Sequence, residues 1–326
     1  MTSETKRILV TGALGQIGTE LTLKLRDKYG STNVLASDIR SGISPEIEEG
    51  GPYIPLDITD GNAVADAVRN HRVDTIYHMA AILSATGEKN PQLAWNVNMN
   101  GSFNILETAR TQQLFRIFIP SSIAAFGPET PKDNTPQETV LLPTTMYGVT
   151  KVAGELLGDY YVKRFKVDVR GVRYPGIISH ETLPGGGTTD YAVAIFYDAV
   201  QNGAYTCFLK EDAELPMMYM PDCLKATLQL MEADFDRLRH HAGFNLAGMS
   251  FTPAELAAEI KKHIPAFTVT YEPDFRQAIA ESWPRSIDDS AARAEWDWRP
   301  DYNLASMTED MLRVLGKRLA DGTLPA

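Results

Sequence analysis

The stretch Val10-Thr11-Gly12-Ala13-Leu14-Gly15-Gln16-Ile17-Gly18 decides how the rest of the chain is read. It follows an apolar run, Arg7–Val10, and opens a segment, Gln16–Tyr29, with apolar residues at helical spacing. Three glycines at three-residue spacing allow a tight strand-to-helix turn whose backbone a ligand can approach closely. The free N–H groups and the dipole of a helix start favour negative charge, so the turn suits a pyrophosphate. Asp38 closes the next apolar run twenty residues after Gly18. A carboxylate there accepts hydrogen bonds from ribose hydroxyls and repels a 2′-phosphate, which points to NAD over NADP. Arg40 offsets part of that repulsion.

Outward from this turn, apolar runs alternate with helical segments. Strands are expected at Arg7–Val10, Asn33–Asp38, Tyr53–Asp57, Thr75–Ala80, Arg116–Ser121 and Val167–Tyr174. Helices are expected at Gln16–Tyr29, Asn62–His71, Pro91–Leu114 and Thr145–Phe165. Gly30 stands where a helix C-terminal glycine belongs, and Asp60 or Thr59 suits an N-cap. Strands spaced by helices require crossovers, which predicts an α/β fold with a doubly wound, Rossmann-type parallel sheet. Beyond Gly176 the alternation becomes irregular: a Gly-rich loop, Pro184–Gly187, then helices near Asp190–Val200, Thr252–Ile264 and Asn303–Leu319. Thr252-Pro253-Ala254-Glu255 reads as a capping box. The expected division is an NAD-binding domain over 1–176 and a smaller α/β substrate lobe over 177–326, interleaved with it.

Composition narrows the function classes. The 326 residues carry 31 Lys+Arg against 42 Asp+Glu, a net charge of −11, which argues against a general nucleic-acid or membrane-surface binder. Cys207 and Cys223 form neither a disulfide framework nor a metal pattern, as a reduced, cytoplasmic setting would favour. No signal peptide or membrane span is expected. His71, His78, His180, His240, His241 and His263 lack metal-ligand spacing, so no metal is expected. Met217, Met218 and Met220 read as core or a pliable pocket wall, Glu46–Glu49 as a solvated acidic loop, and Trp296 and Trp298 as packing.

A second constellation carries chemistry. Tyr147-Gly148-Val149-Thr150-Lys151 puts a phenol and an ammonium on one helix face. A cation beside the phenol is expected to lower its pKa toward a usable base. Ser121-Ser122 ends an expected strand twenty-five residues before Tyr147, and Ser122, with Ser121 as the alternative, can hydrogen-bond a reacting oxygen.

With these residues the chain resembles the short-chain dehydrogenase/reductase superfamily in its extended, epimerase-like form. The segments His78–Lys89, Asn96–Gly101, Phe126–Lys132, Gly187–Ala192 and Leu215–Asp222 are similar to the L-threonine dehydrogenases of that superfamily. The resemblance implies Tyr147 as general acid/base, Lys151 as its activator and Ser122 as orienter. It implies NAD-dependent oxidation of the C3 hydroxyl of L-threonine to 2-amino-3-ketobutyrate, leading on to glycine or aminoacetone. The cofactor would be held by Gly12, Gly15, Gln16, Ile17 and Gly18, by Asp38, Ile39 and Arg40, and by Asp57 and Ile58. Met79, Ala80, Ala81, Asn98, Tyr147, Lys151, Tyr174, Pro175, Gly176 and Ile177 complete that set. Substrate would meet Ser84 and Gly87 on the loop after the fourth strand, then Ser122, Tyr147, Thr188 and Thr189. Asp190 would face the ammonium or cap a helix, and Trp283 would close the pocket or simply pack. A homodimer pairing the helices near Pro91–Leu114 and Thr145–Phe165 is also implied. The rival readings are a nucleotide-sugar epimerase or dehydratase on the same scaffold, for which no basic cluster shows between Asp190 and Pro284, and a non-catalytic NAD sensor.

Overall fold

The computed structural model describes residues 6–42, 44–181, 183 and 187–324. The chain divides into two compact units, one of 1–125, 145–173 and 226–244, the other of 126–144, 174–225 and 245–326.

The first unit runs β1 (Ile8–Thr11), α1 (Gln16–Tyr29), β2 (Val34–Asp38), α2 (Pro45–Glu49), β3 (Tyr53–Pro55) and α3 (Gly61–His71). It continues through β4 (Thr75–His78), α4 (Ser84–Lys89), α5 (Pro91–Trp95), α6 (Ser102–Gln112), β5 (Arg116–Phe118) and β6 (Ser121–Ser122). Last come α7 (Met146–Phe165) and β7 (Val169–Arg170). The six-stranded sheet has the order β3-β2-β1-β4-β5-β7, every pair parallel. Strands β1, β2, β4 and β5 are buried throughout, as strands covered on both faces must be. Leu9, Ile76, Ile117 and Val169 of the sheet share one core with Val64 and Val68 of α3, Ile105 and Leu106 of α6, and Tyr161 and Val162 of α7. Strand order reverses between β1 and β4, so their carboxyl ends border the crevice where such sheets take ligands.

Several expected elements break, each for a local reason. Arg116–Ser121 splits into β5 and β6 because Pro120 has no N–H for a ladder. Val167–Tyr174 stops at Gly171, where a Cβ would lie 2.3 Å from the Ile119 carbonyl oxygen. Pro91–Leu114 is not one helix: a π-turn at Asn96–Gly101 separates α5 from α6. Inside it, Asn98 Oδ1 accepts from Ile82 N (2.8 Å), and Nδ2 donates to Ile82 O (3.0 Å) and Thr150 Oγ1 (3.1 Å). Glu46–Glu49 is helical rather than a loop, with Pro45 at the first turn and Ser44 before it. Asp60, not Thr59, caps α3, accepting from Asn62 N and Ala63 N. Gly30 ends α1 with φ 89°.

Through β8 (Val172–Tyr174) the chain enters β9 (Gly176–Ile178), α8 (Tyr191–Gln201), β10 (Ala204–Cys207), β11 (Leu215–Tyr219) and α9 (Met220–Glu232). After β12 (Phe244–Asn245) follow β13 (Met249–Phe251), α10 (Pro253–His263), β14 (Thr268–Tyr271), α11 (Arg276–Ser282), α12 (Ser290–Trp296) and α13 (Leu304–Ala320). In the second unit β11 pairs parallel with β9 and antiparallel with β13, and β10 pairs parallel with β14. Met217, Met218 and Met220 are fully buried core. Trp298 is buried too and donates from Nε1 to the Ala247 carbonyl (3.2 Å). Asp222 accepts from the backbone N–H of Asp301 (2.9 Å) and Tyr302 (3.0 Å), anchoring the approach to α13. The capping box of Thr252 and Glu255 forms as expected.

Candidate active site

The glycine turn is as tight as its spacing demands. Gly12 has φ 66°, and a Cβ on it would lie 2.5 Å from Ala80 N and 2.8 Å from the carbonyl carbon of Met79. A Cβ on Gly18 would stand 2.0 Å from the Gly12 carbonyl oxygen, whereas at Gly15 it would meet only that same oxygen, at 3.3 Å. Two glycines therefore serve packing, and the third leaves the outer side of the turn open. The first turn of α1 has neither a capping side chain nor an acidic residue, so its N–H groups stay available for an anion. Asp38, 8% exposed, accepts from Leu14 N (3.3 Å) and pairs with Arg40, whose Nε and Nη2 lie 3.0 and 3.1 Å from its two oxygens. Burial pushes the Asp38 carboxyl up, but the bonds from Arg40 and Leu14 outweigh it and hold the pKa below the ordinary value. Ile39 is exposed beside this carboxylate. Ile58 is buried against Gly101, while Asp57 turns back on Thr59, accepting from its N and Oγ1 (both 2.8 Å).

Helix α7 starts where three groups converge. Thr145 accepts from Gly148 N (3.1 Å), Glu88 Oε1 accepts from Met146 N (2.6 Å), and Gly87 of α4 lies close to the Cβ atoms of Ala94 and Tyr147. Ser84 and Gly87 thus sit in helix α4, not in a loop, and both are buried. Ser122 accepts from Ala124 N (3.2 Å) and acts on the Tyr147 phenol to draw its pKa down, while Ser121 turns away and donates to Glu155 Oε1. Lys151 Nζ lies 5.3 Å from the centre of the Tyr147 ring and donates to the Pro120 carbonyl (2.7 Å), left free by the break in the strand.

The electrostatics run against the expectation that Lys151 makes the phenol acidic. Burial pushes Tyr147 up to about 12, opposed only by the Ser122 hydrogen bond. Burial also pulls Lys151 down to about 8, partly countered by Glu155. Desolvation penalises both charged forms, and with the ammonium engaged at Pro120 it outweighs the attraction between them.

Glu155 and His78 were not singled out from sequence. Glu155 stands one further turn along α7 from Lys151, so the i, i+4, i+8 spacing of Tyr147, Lys151 and Glu155 held the signal. Its carboxylate takes a two-pronged bond from Arg173, with Nε to Oε1 at 2.9 Å and Nη2 to Oε2 at 2.7 Å. His78 is buried at the end of β4, its Nδ1 2.8 Å from Thr11 Oγ1.

In the second unit Tyr174, Pro175, Gly176 and Ile177 are buried, and a Cβ on Gly176 would meet Met217 Sδ at 2.5 Å and Thr189 at 2.7 Å. Thr188 is buried with its hydroxyl unpartnered among the described residues. Asp190 makes no cap bond to α8; its Oδ2 accepts from Gly187 N (2.6 Å) instead. Pro184, Gly185 and Gly186 of the Gly-rich loop lie outside the described residues. Trp283 lines a cavity of about 220 Å3 with Lys132, Lys210, Asp212, Glu214, Glu281 and Arg285. Among the described residues no cluster of His, Cys, Asp and Glu could hold a metal ion, and no helix is long and apolar enough to cross a membrane.

Similarity to known proteins extends over nearly the whole chain. A protein of Staphylococcus haemolyticus described as an uncharacterized epimerase/dehydratase is 55% identical over 314 residues, covering 96% of this chain and 98% of its own. The GalE-like L-threonine dehydrogenase from Cupriavidus necator, in its holo form, superimposes with a TM-score of 0.92 at 55% identity, covering 95% of this chain and 99% of its own. A monomeric L-threonine 3-dehydrogenase from a metagenome, in its apo form, gives 0.92 at 48% identity, with 95% and 99% covered. The profile of NAD dependent epimerases and dehydratases matches residues 8–247, which takes in the glycine turn, Ser122, Tyr147 and Lys151. Fold, turn and profile agree, and the chain belongs to the NAD dependent epimerase/dehydratase family.

Proposed function

We propose that the protein oxidises the C3 hydroxyl of L-threonine to 2-amino-3-ketobutyrate with NAD as acceptor. One observation carries this reading: Ser122, Tyr147 and Lys151 converge in a chain that matches threonine dehydrogenases nearly end to end. The packed glycine cradle, the uncapped start of α1 and the buried Asp38 suit a dinucleotide, held by the pyrophosphate and by ribose hydroxyls. NAD, when bound, supplies the hydride acceptor and, in its oxidised form, a cationic ring. Tyr147 Oη takes the proton of the substrate hydroxyl, and Ser122 Oγ holds that oxygen in line. Lys151 steadies the phenolate on releasing Pro120.

The order in which the pair loses protons sets the pH response. With Tyr147 at about 12 and Lys151 at about 8, the first proton leaves Lys151. The productive form, phenolate beside ammonium, carries the same number of protons as neutral Tyr147 beside neutral Lys151, so both rise together with pH. On this reading kcat/KM climbs through about pH 8 and then levels, although the base is a phenol.

Residues 1–176 serve as the cofactor domain and 177–326 as the substrate lobe, interleaved in that 126–144 group with the second unit and 226–244 with the first, and Thr188, Thr189 and Asp190 take the amino-acid end. Ser84 and Gly87 of the first unit and Trp283 of the second are further substrate residues on this reading. Leu93 and Trp95 on α5, Phe103 on α6, and Val149, Leu156 and Tyr160 on α7 are exposed, and we assign this apolar face to a homodimer. Sedimentation of the purified protein as a monomer at micromolar concentration removes that assignment.

The epimerase reading has one observation in its favour, the gathering of Lys132, Lys210 and Arg285 around the second unit's cavity. Each is already engaged: Lys210 with Glu281 (2.8 Å), Arg285 with Asp133, and Lys132 with the carbonyls that end α11. Purified protein with NAD decides between them: NADH formation from L-threonine, but not from D-threonine or L-serine, supports the dehydrogenase. Turnover of UDP-glucose instead refutes it, and cofactor binding without turnover leaves a sensor.

A further inference from the structure

Behind Lys151 lies a small cavity of about 20 Å3, enough for one water molecule. His78, Lys151, Asn98, Ser102, Thr150, Pro120, Ser121 and Glu155 contribute its polar lining. Most of these groups are satisfied. Asn98 is spent on Ile82 and Thr150, Ser121 on Glu155, and Glu155 on Arg173 and Ser121. The Pro120 carbonyl takes one proton of the Lys151 ammonium, which has three to give. His78 is 3% exposed; its Nδ1 faces Thr11 Oγ1, its register partner on β1, and its Nε2 has no partner among the described residues. A buried nitrogen without a partner costs free energy that a single water relieves.

We propose that His78 is a positioning residue for Lys151: one buried water accepts from the ammonium and donates to His78 Nε2. Beside a cation the water turns its oxygen to Nζ and its hydrogens away, so Nε2 is the acceptor. The imidazole proton then sits on Nδ1 and donates to Thr11 Oγ1. The chain Lys151, water, His78, Thr11 ends on the residue before Gly12, tying the ammonium to the strand that carries the glycine turn. The charged groups that face this cavity are Lys151 and Glu155 of α7, with Arg173 of β8 bound to Glu155. Burial, reinforced by the Lys151 charge, holds His78 down to about 3, so the ring stays neutral throughout the working range.

The kinetic consequence rests on the threonine reading, but the structural one does not. Histidine-selective nitrogen-15 NMR of the apo protein, with His78→Asn to assign the signal, reports the tautomer directly. A neutral ring protonated on Nδ1 from about pH 6 to about pH 9, whose Nε2 signal moves in Lys151→Met, is expected. A ring titrating near its ordinary pKa, one protonated on Nε2, or one indifferent to Lys151→Met overturns the proposal, whatever the substrate. In kinetics, His78→Asn keeps a group for Thr11 but loses the cavity nitrogen, whereas His78→Gln keeps a polar atom near Nε2. Loss of the water partner lowers the Lys151 pKa, so His78→Asn shifts the rising limb of kcat/KM about one pH unit down and cuts its plateau about tenfold. His78→Gln restores both. Equal profiles for the two variants, with melting temperatures similarly lowered, show a structural role alone and refute positioning.

Discussion

Replacing Gly12 by alanine tests the cradle proposed to hold the cofactor. The residue sits at φ 66°, a left-handed conformation that costs a side chain about 1–2 kcal/mol. The new Cβ would meet Ala80 N at 2.5 Å, Ala80 Cα at 2.7 Å and the Met79 carbonyl carbon at 2.8 Å. All three are backbone atoms, so no rotamer relieves the clash, and the ends of β1 and β4 must part. Overpacking of that kind adds about 1–3 kcal/mol, for a total of about 2–5 kcal/mol. An unfolding entropy of roughly 2.1 cal/mol/K per residue over 326 residues gives about 0.7 kcal/mol per degree. Gly12→Ala should therefore melt about 3–7 °C below wild type. The separation also spreads the segment Met79–Ala81 from the turn, so the melting-temperature rise on adding NAD should shrink or vanish. Saturating NAD raises wild type by about 4 °C at a hundredfold excess over Kd, by mass action. Gly316→Ala is the control: nothing lies within 4 Å of its Cβ in α13, so it should gain about 1 kcal/mol and keep the NAD response. A Gly12→Ala protein that melts and responds to NAD as wild type does would falsify the cradle.

Other changes separate the roles within the site. Tyr147→Phe should lower kcat about 10²–10⁴-fold while the NAD-induced melting shift persists; substantial turnover by the variant removes Tyr147 as base. Lys151→Arg keeps a charge that cannot be shed near neutrality, so the rising limb of kcat/KM should leave pH 8 and move toward the phenol's own pKa. Glu155→Gln removes the charge that raises Lys151, so the same limb should move to lower pH; an unmoved limb severs Glu155 from Lys151. Asp38→Ser frees Arg40 for a 2′-phosphate and should improve NADP use relative to NAD, measured as the ratio of the two kcat/KM values.

What was legible in the sequence is what local chemistry dictates. Gln16–Tyr29 comes out residue for residue because a glycine turn opens it and Gly30 closes it. Thr252 announces α10 as its cap, and α13 falls where a helix is expected near Asn303–Leu319. The break at Pro120 follows from the missing N–H of that proline, whereas the break at Gly171 follows from the close approach of Ile119, which no periodicity shows. Strands β9 and β11, three and five residues long and wholly buried, offer no polar alternation to mark them. At the site, Tyr147 and Lys151 stand out by spacing, but His78 looks like any isolated histidine until β4 pairs with β1 and sets Thr11 beside it.

The opposed shifts of Tyr147 and Lys151 have a consequence for when the base exists. With Tyr147 pushed up and Lys151 pulled down, the phenolate-ammonium form is the minor member of the singly deprotonated pair. The apo protein thus holds the proposed base, Tyr147, in its protonated form. The burial responsible for this also strengthens any charge brought close, because screening is weak there. A cation set beside the phenol therefore lowers the Tyr147 pKa far more effectively than it would at the surface. Phenolate should then appear only in the loaded site. A difference absorbance titration of wild type against Tyr147→Phe tests this: without NAD the Tyr147 signal should rise only near pH 12, and with NAD well below it. Equal titrations with and without NAD would show that the pair is set by the protein alone, and that the base must be sought elsewhere.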